Sequence, residues 1–264
     1  MRALYTAATG MAAQELRVQV ISNNIANMQT TGFKRQRAEF QDLMYENLRR
    51  VGSNTSAQGN KLPIGLDIGA GVKTVGTPRI MTQGNLLPTD GQLDVAIRGD
   101  GFFRILLPDN RTAYTRAGSF QMDDQGRLVT PEGYLVDPAI TFPQNASNIT
   151  INQQGEVSAL LPGQTNSTVL GQIQLARFVN PAGLEAIGDN LYLETASSGA
   201  PQAGNPGDQT TGLGTLLQNQ LEQANVNAVT EMSDLITAQR AYAMNAKVVT
   251  AADDMLQQTA NMMR

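Results

Sequence analysis

The chain has 264 residues, 41% hydrophobic and 16% charged, with a formal net charge of −4, a balance that fits a folded protein of one or two domains. It contains no cysteine, histidine or tryptophan, which removes the usual neutral-pH general base, thiolate nucleophiles, disulfides and the common structural zinc sites. An acidic balance without a basic stripe speaks against nucleic acid as a main partner, and no apolar run reaches the roughly 18 residues that would suggest membrane insertion.

In chain order, the first element is a helix over about Leu4 to Asn27. Leu4, Met11, Val18 and Ile25 recur every seven residues, with Ala7, Ile21 and Met28 three positions on, the a/d pattern of a helix that packs along one seam. The Thr30-Thr31-Gly32 cluster ends it, and a second short helix is predicted over about Arg35 to Leu48. From residue 52 to 76 Gly, Ser, Asn, Gln and Pro dominate, yet Leu62, Ile64, Leu66 and Ile68 alternate as in an extended segment docked against a surface. This is read as an arm over residues 51–76.

Residues 77–195 alternate short β-patterned runs with turn signals, which predicts a central all-β domain. Asp109-Asn110, Gln125-Gly126, Glu132-Gly133 and Gln154-Gly155 mark its hairpin turns. A Gly-, Pro-, Ser- and Thr-rich return linker follows over 196–214. The last segment, 215–264, reads as a C-terminal helix whose seam runs through Leu221, Leu235, Tyr242, Val249 and Leu256, with Met232 beside it. Residues 1–50 carry a net charge of +3 and residues 217–264 a net charge of −2, so the ends attract. The fold expected is therefore α+β: N- and C-terminal helices (1–50 and 215–264) pairing as a coiled coil, an extended arm, and a central β-domain. Periodicity alone leaves open whether the helices pack on one globular core or build an assembly.

No catalytic, cofactor-binding or metal-binding residues are assigned. The adjacent acids Asp123–Asp124 and Asp253–Asp254 lack the convergent spacing of a glycosidase pair, and Asp123-Asp124-Gln125-Gly126 reads as a turn. Gly99-Asp100-Gly101 follows a strand but lacks the third glycine and the helix of a dinucleotide loop. A carbohydrate-binding or peptidoglycan-acting module is the alternative from another class. Aromatic residues make up only 5% of the chain, too few for convincing sugar platforms.

Longer motifs carry a resemblance. Ala3-Leu4-Tyr5, Ala8-Thr9-Gly10-Met11, Ser22-Asn23-Asn24-Ile25-Ala26-Asn27 and Thr31-Gly32-Phe33-Lys34 resemble the N-terminal signature of bacterial flagellar rod and hook proteins. Ala96-Ile97-Arg98-Gly99-Asp100-Gly101-Phe102-Phe103, Tyr114-Thr115-Arg116-Ala117-Gly118-Ser119-Phe120, Glu222-Gln223-Ala224-Asn225-Val226-Asn227 and Leu235-Ile236-Thr237-Ala238-Gln239-Arg240-Ala241-Tyr242 continue it through the chain. The length and the arm resemble the distal-rod type within that family more than the hook or the proximal rod proteins.

The resemblance implies a non-enzymatic structural subunit of the basal-body rod in the periplasm. It further implies passage through the flagellar type III apparatus and head-to-tail self-assembly into an open helical tube that transmits torque. Proximal rod proteins, the hook protein, surrounding ring proteins and a rod cap are the partners it implies. The self-assembly seam expected is Leu4, Met11, Val18, Ile21, Ile25, Leu221, Met232, Leu235, Tyr242, Val249 and Leu256, and the arm would dock through Leu62, Ile64, Leu66 and Ile68.

Overall fold

A computed structural model describes residues 2–49, 51, 64–143, 146–161, 166–208 and 210–262. The chain divides into two compact units. The first comprises Met1–Ile25, Gln36–Pro78 and Asn227–Arg264. It holds two long helices, α1 (Arg2–Ala26) and α2 (Ala228–Met262), and a two-stranded ribbon.

In that ribbon β1 (Glu39–Asp42) pairs antiparallel with β4 (Val72–Gly76), and β2 (Tyr45–Arg49) pairs antiparallel with β3 (Leu66–Gly69). Leu43 N–H donates to the Gly71 carbonyl at 2.8 Å between the two ladders. The outgoing strands occupy the stretch in which a helix over Arg35 to Leu48 was expected. The alternating residues of β3 and β4 give that stretch a ladder partner, and long-range pairing overrides a weak local helical preference. Leu62 lies outside the described residues. Ile64, Leu66 and Ile68 are 78%, 52% and 39% exposed, so in the described part of the arm these apolar side chains are largely uncovered.

The second unit comprises Ala26–Arg35 and Arg79–Val226 and is built of antiparallel β-sheet. Its central strand is β7 (Phe102–Leu106). One edge of β7 carries β8 (Thr112–Thr115), and the other carries β11 (Leu135–Val136) and β15 (Leu175–Arg177) end to end. The sheet extends through β17 (Leu191–Leu193) and β16 (Glu185–Gly188) on one side. On the other it runs through β10 (Leu128–Val129) to β9 (Gln121–Met122), with β18 (Gln202–Gly204) beside β15. A three-stranded sheet joins β12 (Ser147–Ile151), β13 (Glu156–Leu160) and β14 (Ser167–Gln172).

Two further ladders pair β6 (Val95–Arg98) with β19 (Thr215–Gln218), and β5 (Leu86–Pro88) with β20 (Gln220–Glu222). Residues 215–222 are thus strands rather than the start of the C-terminal helix, which begins at Ala228. Asn219, at φ 57° between the two strands, turns the chain there.

Side-chain alternation along β7 distributes the core. Phe103 and Ile105 enter the main cluster with Val95, Ile97, Leu128 and Leu216. Phe102 points to the opposite face, against Tyr114, Phe178 and Tyr192, as the two-residue period of a strand requires. Edge-to-face ring contacts link these pairs: Phe103 to Phe120 at 5.0 Å and Tyr114 to Phe178 at 4.7 Å. The four predicted turns all close hairpins, with left-handed backbone at Asn110, Gly126, Gly133 and Gly155.

Candidate assembly site

Polar contacts and one close approach join the helices of the first unit. Asn24 Nδ2 donates to Glu231 Oε2 at 3.2 Å, Arg17 Nη2 lies 3.5 Å from Asp234 Oδ1, and a Cβ on Gly10 would sit 2.8 Å from Asn245 Nδ2. Positions rise on α1 as they fall on α2, so the helices run antiparallel. These side-chain contacts are polar, and the approach at Gly10 is close. On α2 the buried positions are Glu231, Ala238 and Ala252, and on α1 they are Ala7, Ala13, Val20, Ile21 and Asn24.

The predicted seam residues fall unevenly on this geometry. Ile21 is buried, and Leu4, Met11, Val18 and Ile25 are half-buried. On α2, Leu235 and Val249 are half-buried, whereas Met232, Tyr242 and Leu256 are 58%, 44% and 41% exposed. Leu221 is not on the helix; it lies in β20 opposite Leu87 of β5. The inner line of α2 instead follows the heptad 231, 238, 245, 252, which is hard to read in sequence because Glu, Ala, Asn and Ala do not form an apolar stripe.

The polar residues at the start of this line are specifically placed. Asn24 is 1% exposed; its Nδ2 also donates to the Gln36 carbonyl, and its Oδ1 accepts from Gln36 N–H, both at 2.9 Å. Glu231 is 1% exposed and lies in the first turn of α2, where the helix dipole favours a carboxylate. Asn227 caps that turn through Oδ1, which accepts from Val229 N–H at 3.0 Å and Thr230 N–H at 3.3 Å.

In the second unit three of the quoted motifs converge on one buried carboxylate. Glu222 Oε1 accepts from Lys34 Nζ at 2.5 Å and from Gly84 N–H at 2.9 Å, and Oε2 lies 3.2 Å from Arg116 Nη1. The Lys34 and Glu222 side chains are fully covered, and that of Arg116 is 4% exposed. Burial pushes the Lys34 ammonium below the ordinary lysine value, opposed by the adjacent Glu222 carboxylate. The Glu222 carbonyl takes Gly32 N–H at 2.8 Å, and Asn225 Oδ1 takes Arg35 N–H at 2.7 Å. Gly32 has φ 70°, and an added Cβ would lie 2.6 Å from Ala117 N. Glycine is therefore required where this loop meets the Arg116 strand end. The chain segment after α1 and the segment before α2 are thus fixed to each other and to the β-sheet by a charge triad.

The arm presents an apolar surface of its own. Met44, Tyr45, Leu48 and Val51 on the outgoing side are 87%, 55%, 50% and 67% exposed, and Ile64 and Leu66 return beside them. At the arm's base a recess of about 310 Å³ is lined by Arg2, Tyr5, Thr6, Glu46, Ile68, Gly69 and Ala70, with Arg2 ion-paired to Glu46. Among the described residues no helix is long and apolar enough to cross a membrane.

Three family matches cover successive parts of the chain. Residues 4–34 match the flagella basal body rod protein family, residues 96–159 the flagellar hook protein FlgE/F/G D1 domain, and residues 217–262 the flagellar basal body rod FlgEFG protein C-terminal region. The flagellar basal-body rod protein FlgG of Caulobacter vibrioides is 58% identical over 262 residues, covering 99% of each chain. The FlgG of Agrobacterium fabrum is 50% identical over 97% of each chain. That of Borreliella burgdorferi is 49% identical over 97% of this chain and 96% of its own. Full-length similarity at this level, together with the meeting of the family motifs at Glu222, places the chain in the family of flagellar basal-body rod proteins.

Proposed function

We propose that the chain is a structural subunit of the distal flagellar rod, polymerising into a rigid open helical tube that transmits torque from motor to hook. The observation that carries this mechanism is the uncovered apolar surface of the helix-and-arm unit. Met232, Ile236, Met244 and Val248 on α2 are 58%, 49%, 61% and 47% exposed, and the arm adds Met44, Ile64 and Leu66. An extended apolar surface of that kind marks an interaction site on a soluble protein. Head-to-tail contacts that do not close would give a filament.

In this reading α1 (Arg2–Ala26) and α2 (Ala228–Met262) form the helical assembly segment, completing a coiled coil in the polymer. The arm, through Ile64, Leu66 and Ile68, braces neighbouring copies, and the β-unit over Arg79–Val226 is the second building block of the subunit. Proximal rod proteins, the hook protein, ring proteins and a rod cap are its partners in the basal body. The chain reaches that site unfolded through the type III apparatus, a passage eased by the lack of disulfides.

Leu235→Asp or Val249→Asp places a charge at a half-buried position of α2. Either change is expected to abolish sedimentable polymer while leaving the thermal unfolding of the β-domain unchanged. Undiminished polymer from both variants would contradict the proposal.

A further inference from the structure

We propose that a recess in the β-unit binds a carboxylate carried on an apolar stem, one residue in size, with Arg177 as the direct contact and the charge of Arg116 behind it. The inference rests on the fold of that unit and is independent of the assembly reading.

The recess lies at the start of β7, beside the end of β15, and encloses about 230 Å³. That is less than the roughly 300–1,000 Å³ of sites for drug-sized ligands, and it suits a single amino-acid-sized group. Met81, Phe102, Phe178, Val179 and Pro181 give it apolar walls. The alternation along β7 builds the largest of them: Phe102 points away from the main core cluster and meets Phe178 edge to face at 5.9 Å.

Two guanidiniums line the same recess. Arg116 is almost fully covered and stands over the Phe102 ring, with Cζ 5.5 Å from its centroid. Its Nη1 faces Glu222 and its Nη2 donates to the Gly99 carbonyl at 2.8 Å, while its Nε–H has no acceptor among the described residues. Because Lys34 shares the same Glu222, two buried basic groups stand against one buried carboxylate. Arg177 is more open. Its Nη1 donates to the Thr211 carbonyl at 3.2 Å, which fixes the head group, whereas its Nη2 lies 3.8 Å from Asp100 Oδ2, beyond direct hydrogen-bond reach. Asp100 is itself mostly exposed, so water screens that pair.

The recess thus combines a positive field and unused donor capacity with apolar walls. A bare inorganic anion would leave those walls in water, and a neutral apolar group would gain nothing from Arg177. A carboxylate on an aryl or branched aliphatic stem meets both demands. Its oxygens accept charge-assisted hydrogen bonds from a guanidinium already held in place, and its stem covers Phe102 and Phe178. The C-terminal residue of a peptide and a free amphiphilic acid share this chemistry.

Titration of the full chain with N-acetylphenylalanine, followed by NMR, tests the site. Saturable binding is expected, with the uncharged N-acetylphenylalanine amide and the stemless acetate each about tenfold weaker, since a hydrogen bond to a charged group and burial of the stem each contribute at least that factor. Arg177→Gln is expected to weaken the acid about tenfold. Val179→Asp, which places a negative charge at an exposed position of the rim, should do the same with an unchanged unfolding curve, so a loss there is not a loss of fold. Tighter binding of acetyl-glycyl-phenylalanine than of 3-phenylpropionate would mark a peptide terminus as the source, and the reverse order a free acid. No saturable binding, equal affinity for acid and amide, or full affinity in both variants overturns the site and leaves the assembly reading standing.

Discussion

Glu222 holds two buried cations and two backbone N–H groups at the point where the chain leaves α1 and enters α2. Removing one member of such a cluster leaves uncompensated charge out of contact with water. Glu222→Gln is accordingly expected to lower the stability of the β-sheet unit by about 3–5 kcal/mol in urea unfolding; a loss below about 1 kcal/mol would show that the triad does not hold the fold.

Asp123 behaves differently because it is a surface turn residue. Its carboxylate accepts from Arg127 N–H at 2.7 Å and Gln125 N–H at 2.9 Å and pairs with the Arg127 guanidinium. These interactions, led by the Arg127 backbone N–H, hold it below the ordinary aspartate value of 3.8. A lowered folded-state value means that the unfolded chain takes up the proton first. The stabilisation is therefore present above 3.8 and is lost as pH falls through the folded value. Asp123→Asn should flatten that part of the acid limb of a Tm–pH curve, and an unchanged limb would exclude the carboxylate as its source. The turn itself was readable from Asp-Asp-Gln-Gly. The triad was not, because Lys34 and Glu222 are 188 residues apart, and no periodic pattern links an isolated lysine to a distant glutamate.

At the scale of elements, what the sequence disclosed depended on the period of its apolar residues. The four hairpin turns and the β-structure of the central region were legible from turn residues and short β-patterned runs. The ribbon strands β1 and β2 were not, since Phe40, Leu43, Met44 and Leu48 mimic a helical face and only the returning strands select the ladder. Strands β19 and β20 were misread for a related reason. Leu217 and Leu221 suit a helix, but the edges of β6 and β5 are available to them. The register of α2 was half legible: Leu235 and Val249 lie on its partly covered side, while Glu231, Ala238 and Ala252 on the innermost line give no hydrophobic signal. The true start of α2 is set by the Asn227 cap. Asn227→Ala is expected to destabilise the first turn by about 1 kcal/mol, seen as faster amide exchange at Val229 and Thr230. Unchanged protection there would mean that packing of Glu231, not the cap, fixes the helix start.

For the molecule as a whole, the absence of histidine and cysteine and the wealth of exposed methionine, valine and isoleucine on α2 and the arm make sense in a component of an assembly. The side-chain contacts described between α1 and α2 are polar, and the buried positions of α2 are Glu231, Ala238 and Ala252, which positions the helices at modest gain. Each buried Leu- or Ile-sized side chain contributes about 1.5–3 kcal/mol, so the large energetic gain awaits neighbours that cover the outward faces. In the proposed assembly, that order would couple stiffening of the rod to polymerisation rather than to folding of the isolated subunit. The most direct test is electron microscopy of the concentrated full-length chain beside the Leu235→Asp, Val249→Asp double variant, with unfolding curves confirming that both retain the β-domain. The account predicts straight tubes from the unaltered chain and dispersed particles from the variant; tubes from both, or dispersed particles from the unaltered chain even when seeded with isolated rods, would contradict it.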